Sequence, residues 1–268
     1  MNLIAQKKHK LNLLHHLWWP TGAAMISLLA LASGSSAEPQ SEQQETGVML
    51  LQTCGVLGDQ EIFITSDKVR VSDLATGLTT ISAAPDWKVL TFDNKTKTYA
   101  ESALNNYRGY IQDQEFVDPG IRWPKLPLTA DKPAAIAGEN ASCYTTPPSF
   151  SEKQTKDWQQ ESASPTFAKD ARYCVSTHLS TDKHVSAFLA RFYQLPEKDG
   201  LPLQFKYHTI KGDLNTWLFT TAIKKGSAPA IRAAVPVGFT RLPSALDVRG
   251  ALRNSQAAEK TKRKRPLL

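Results

Sequence analysis

From Gly47 onward the chain repeats one pattern, short apolar runs of period two broken by polar turns. Val48-Met-Leu-Leu-Gln and Glu61-Ile-Phe-Ile-Thr read as strands, and Lys68-Val-Arg-Val-Ser alternates charge with valine. Gly77-Leu-Thr-Thr-Ile-Ser is β-branched. Trp87-Lys-Val-Leu-Thr-Phe-Asp is followed, across the turn signal Asp93-Asn94, by Lys97-Thr-Tyr-Ala-Glu. A period of two puts alternate side chains on one face of a pleated strand, and turns this short join neighbours running in opposite directions. The pattern predicts a mainly β chain built on an antiparallel meander.

Residues 112–170 break the pattern. They hold Pro119, Pro124, Pro127, Pro133, Pro147, Pro148 and Pro165, and read as long loops around one short strand, Ala134 to Thr145. Loops of that length in a compact domain are functional or mobile. Strand character returns at Ala171-Arg-Tyr-Cys-Val-Ser-Thr. The clearest helix runs from Asp182 to Tyr193, with Val185, Phe188, Leu189 and Phe192 on one stripe, and Leu195-Pro196 ends it. Leu201, Leu203, Phe205 and Tyr207 alternate with polar or proline positions, which predicts a half-buried strand with an aromatic face. Asn215 to Ile223 is the next strand, and Lys224-Lys-Gly reads as its turn. Residues 249–268 form a basic tail, a frayed helix or disordered.

Residues 1–37 read as a signal peptide. Lys7, Lys8 and Lys10 precede an apolar stretch from Gly22 to Ser33, too short to span a bilayer, and Ser35-Ser-Ala37 places small residues before a cleavage point. Residues 38–46 are a polar linker, and the first cysteine, Cys54, is not placed for lipid attachment. The product is expected to be exported, periplasmic or extracellular. The formal net charge of +7 is concentrated at the two ends, and the body between residues 38 and 248 is almost neutral. A nucleic-acid binder would carry its basic residues on a folded face among aromatics, so no nucleic-acid partner is expected. The tail motif Lys260-Thr-Lys-Arg-Lys-Arg-Pro could touch an anionic membrane surface or remain a solvated end.

Chemistry is sparsely signposted. Export permits disulfides, and three cysteines allow three single pairings. Cys143 and Cys174 flank the proline-rich region on predicted strands and are the candidate pair, against three free thiols. His178 and His184 are spaced for neither a helical nor a strand pair of ligands, so no metal is expected. No nucleophile elbow, phosphate loop or dinucleotide fingerprint is present, so no catalytic residue and no cofactor is nominated and a non-enzymatic role is expected. Aromatics crowd the predicted strands. Most belong to a core, but a curved sheet with more aromatic surface than one helix can cover keeps an apolar cavity. Phe63, Phe205, Tyr207, Trp217 and Phe219 are its candidate lining.

The order of these patches resembles the LolA-like superfamily of outer-membrane lipoprotein carriers. Asp59 to Val71 is similar to the family's opening strands, Trp87 to Glu101 follows the same rhythm, and Ile136 to Tyr144 resembles its mid-domain strand. Gly200 to Phe205, Trp217 to Ile223 and Val235 to Leu242 resemble its closing strands. The similarity runs in patches through residues 47–245, within a domain taken as 47–248. It implies a curved antiparallel sheet forming an incomplete, half β-barrel with a few short helices and a concave apolar cavity. The long 112–170 region and the basic tail depart from that pattern, and fold does not carry function. The expected function is binding of a lipid or lipoprotein acyl chain in the cell envelope. The alternatives are a protein-interaction module whose barrel is plugged by the 182–193 helix, or a hydrolase with a dispersed site.

Overall fold

The computed structural model describes residues 44–109, 126–161, 168–179, 182–235 and 237–263. The signal-peptide reading of 1–37 and part of the proline-rich region lie outside these residues. Six strands come first: β1 (Gln44–Cys54), β2 (Gly58–Ile64), β3 (Lys68–Asp73), β4 (Thr79–Ala83), β5 (Lys88–Asp93) and β6 (Thr98–Ala103). Then follow β7 (Thr129–Ile136), β8 (Glu139–Thr145), helix α1 (Pro148–Glu161), β9 (Ala168–Ser176) and helix α2 (Lys183–Phe192). The chain closes with β10 (Leu201–Thr209), β11 (Leu214–Pro229), β12 (Thr240–Arg241) and helix α3 (Ala245–Arg263).

All twelve strands join one sheet in the order β12-β6-β5-β4-β3-β2-β1-β11-β10-β9-β8-β7. Every ladder is antiparallel except the short one between β12 and β6. The sheet is curved and does not close into a barrel, as the strand pattern and the resemblance predict. The β3–β6 meander is set by its turns. The Asp73 carboxylate accepts from the Ala75 and Thr76 amides, and Asp93 accepts from those of Lys95 and Thr96. A short side chain that caps its own backbone two and three residues on is what turns a strand here.

The main core lies on one face and draws on both halves of the sheet. Leu50, Ile62, Ile64, Val69, Val71, Tyr173, Val175, Phe205 and Leu218 project into it, and Val185, Phe188, Leu189 and Phe192 of α2 lie among them. The opposite face carries a smaller cluster. After β11 the chain crosses that face, burying Ala228 and Ile231 with Phe63 and Ile81 and setting Phe239 edge-on to Phe92 at 6.2 Å.

The structure corrects four readings. The 38–46 linker ends earlier, because Gln44 to Gly47 already pair with Pro229 to Gly226 in β1 and β11. For the same reason Lys224-Lys-Gly is not a turn, since β11 runs through it to Pro229. This stretch is exposed, so no apolar alternation marks it, yet backbone pairing is indifferent to side-chain polarity. The proline-rich region holds a two-stranded hairpin, β7 with β8, and helix α1, where loops around one strand are expected. Up to Arg263 the basic tail is helix and not disordered, anchored by Val248 and Leu252, which are buried in the core.

Candidate functional site

The residues proposed to line a cavity divide between the faces. Phe205 and Trp217 are buried in the main core and Tyr207 packs at its margin. Phe63 lies on the opposite face with Ile81, and Phe219 is 38% exposed with the Lys206 ammonium over its ring at 5.9 Å. A bulge in the β10–β11 ladder at Phe205/Lys206 lets Trp217 and Leu218, neighbours in sequence, both enter the core. The five residues therefore do not line one cavity.

Helix α2 occupies the inner face. Asp182 caps it, its carboxylate accepting from the His184 amide at 2.8 Å. Phe188, Leu189 and Tyr193 are fully buried, Phe188 stacks on Tyr107 at 5.7 Å, and the Trp217 indole N–H donates to the Tyr193 carbonyl at 2.9 Å. Between Phe192, Arg249 and the inner faces of β2–β4 a space of about 10 Å³ remains. That is about the volume one water needs. Of the proposed lining, only Phe205 and Trp217 are buried in the same cluster as the α2 stripe.

Burial dominates the ionisable groups inside. It pushes the Tyr173 and Tyr193 phenols far up and raises the Cys54 thiol, so all three stay protonated at neutral pH. Cys143 and Cys174, directly opposed on β8 and β9, form a disulfide with S–S 2.12 Å. Cys54 is free and buried.

A cleft of about 680 Å³ opens between the outer side of α2, the end of β9, the 104–105 turn and the 197–200 turn. Asn105, Thr177, Lys183, His184, Arg191 and Lys198 line it. His184 stacks on Trp87, with ring centroids 5.0 Å apart, and its Nδ1 lies 2.6 Å from the Asp182 carboxylate. The His184 amide, then its ring, hold the Asp182 carboxyl below the usual range. Arg191 is engaged by Glu197 at 2.7 Å and by the Leu104 carbonyl. A carboxylate–imidazole pair could position a general base. The cleft hydroxyl of Ser176 is instead committed to Glu139 at 2.8 Å, and among the described residues no hydroxyl bonds the His184 ring. No group of three histidine, cysteine, aspartate or glutamate residues is close enough to hold a metal ion among the described residues. Sequence reading missed this cleft because its lining comes from four separate segments with no shared motif.

No protein-family model matches the chain, and no curated protein matches it. Among solved structures, it is similar to an uncharacterized conserved protein from Thermus thermophilus, at 12% identity and TM-score 0.36, over 75% of this chain and 89% of that one. It is similar to MucB, solved in complex with MucA(peri), at 13% identity and TM-score 0.34, over 70% of this chain and 53% of that one, so it spans about half of the MucB chain. It is also similar to a domain described as a putative outer membrane lipoprotein-sorting protein from Vibrio parahaemolyticus, at 9% identity and TM-score 0.21, over 68% of this chain and 84% of that one. At these identities and scores the likenesses assign no ligand, partner or activity to this chain.

Proposed function

We propose that this protein is an exported, non-enzymatic interaction module of the cell envelope, whose half-barrel is filled by its own helix and which meets a protein partner through its surface. The observation that supports this reading most strongly is the packing of α2. Phe188, Leu189 and Tyr193 are fully buried where an acyl chain would have to lie. The space left beside Phe192 is about 10 Å³. Export rests on the N-terminal address in the sequence. No helix among the described residues is long and apolar enough to cross a membrane. A lipid or lipoprotein acyl chain is the competing occupant, and it would require α2 to leave the sheet.

Titration of the purified protein with a long-chain fatty acid, followed by tryptophan fluorescence, separates the two. With α2 in place no saturable change is expected, because Trp217 is buried and its indole N–H is bonded to the Tyr193 carbonyl. Saturation that is lost in Trp217→Phe would refute the proposal and restore the carrier reading.

A further inference from the structure

Among the described residues, three of the places where a strand of the sheet has an unpaired side are treated differently. The β7 edge carries Pro133, which has no N–H to offer, and its register breaks between Asp131 and Ala134. The β12 edge is two residues long. A proline, a broken register and a very short strand are the usual ways of preventing further pairing. The third place is on β11. Its ladder with β10 ends at Phe219, opposite Gln204, whereas its ladder with β1 continues to Pro229. From Thr221 to Ser227 β11 is therefore paired on one side only. Among the described residues no strand lies along the other side. Alternate N–H and C=O groups of a strand point to opposite sides, so half of those in this stretch point away from β1.

The stretch is uninterrupted and well anchored. Proline enters only at Pro229, where the strand ends. At its base Glu45 accepts from the Lys68 ammonium at 2.5 Å and from the Ile231 amide at 3.1 Å, tying the β1–β11 ribbon to β3 and to the segment that crosses the sheet. Ile223 is half-buried against the cluster of Ile136, Ala141, Cys143, Cys174 and Leu203, an apolar shelf beside the open edge. Lys224, Lys225 and Arg232 are exposed or half-exposed, and none has an acidic partner among the described residues.

We propose that the open edge of β11 between Thr221 and Ser227 docks an extended acidic segment of a partner protein, which adds as a further strand. Backbone hydrogen bonds would hold the segment, its alternate β-branched side chains would rest on the face that carries Ile223, and its carboxylates, on the other face, would meet Lys224. The proposal rests on the interaction reading above and gives it a surface and a partner chemistry.

The test uses the whole chain and a fluorescein-labelled decapeptide that alternates glutamate with valine. Anisotropy should saturate, and amide exchange should slow at residues 221–227 and not around the cleft beside α2. Lys224→Glu combined with Lys225→Glu should weaken binding about tenfold or more. A peptide N-methylated at alternate residues, which keeps its charge and loses one edge of amides, should not bind wild type. The proposal is overturned by an absent signal, by equal binding of the methylated peptide, or by protection confined to the cleft. It is equally overturned if the free protein sediments as a dimer with 221–227 already protected, since the occupant is then a second copy. A failed peptide titration with no fatty-acid response rejects this edge alone, whereas a saturable fatty-acid response rejects the reading beneath it.

Discussion

Replacing Phe188 by alanine tests whether α2 fills the half-barrel. The ring is fully buried, stacks on Tyr107 at 5.7 Å and lies 6.0 Å from Phe192. A buried Phe→Ala change costs about 3–5 kcal/mol through lost transfer energy and the cavity left behind. Here the upper part of that range is expected. Two aromatic contacts, each about 0.5–1.5 kcal/mol, vanish, and a continuous sheet behind the ring cannot collapse into the gap. A loss of about 4–5 kcal/mol in a domain of this size lowers Tm by roughly 8–20 °C. Urea unfolding followed by circular dichroism measures it directly. The same substitution has a second consequence, since a dry cavity of one ring's size takes up small apolar molecules. Benzene at millimolar concentration should raise the Tm of the variant and leave wild type unchanged. A loss below about 1.5 kcal/mol, well short of the usual range for a buried ring, would show that the inner face is not filled as described. A wild-type protein already stabilised by benzene would show the same.

The Asp182 cap gives a pH signature. Its folded pKa is depressed, so its stabilisation is present above the unfolded value near 4 and is lost as pH falls through the lower folded value. Asp182→Ala should therefore cost about 1 kcal/mol at pH 7, and the gap to wild type should close below pH about 4 in urea melts. The Cys143–Cys174 bridge closes a loop of sequence separation 31 and is worth about 3–4 kcal/mol in the chain-entropy model. Non-reducing peptide mapping of exported protein should recover the linked pair, and two free thiols there would reject it. Leu252→Ala in α3 should cost about 2–5 kcal/mol, because the side chain is buried in the core. Deleting residues 256–268, which removes Glu259 and with it the exposed ion pair to Lys95, should cost about 1 kcal/mol or less. A larger loss in thermal melts would show that the end of the chain packs. Processing after Ala37 is checked by the intact mass of exported material, and a mature N-terminus at Met1 would make residues 17–33 an anchor.

Leu201–Thr209 alternates in sequence but is buried on both faces from Leu201 to Phe205, which corrects the expectation of a half-buried strand. Lys68–Asp73 is legible because it has one face wet and one face dry, so polarity alternates along it. The helix at Lys183–Phe192 is legible for the same reason, with its stripe at helical spacing and Asp182 as cap. What the stripe cannot state is which surface it meets. A stripe on the outside of the sheet and one on the inner face read identically, yet the first leaves a cavity and the second fills it. Phe63 and Phe205 look alike as aromatics on strands, and strand register alone puts one in the outer cluster and the other in the core. Cys143 and Cys174 could be nominated as a pair from their positions on strands, but the β8–β9 register is what sets them opposite each other. The β1–β11 ribbon at residues 44–47 and 224–229 left almost no mark in the sequence, because its stability comes from backbone hydrogen bonds between segments far apart in the chain. Local polarity and periodicity determined which segments are strands or helices. Long-range pairing and packing decided which face each side chain occupies, and with it that α2 lies against the inner face and that β11 is paired on one side only beyond Phe219.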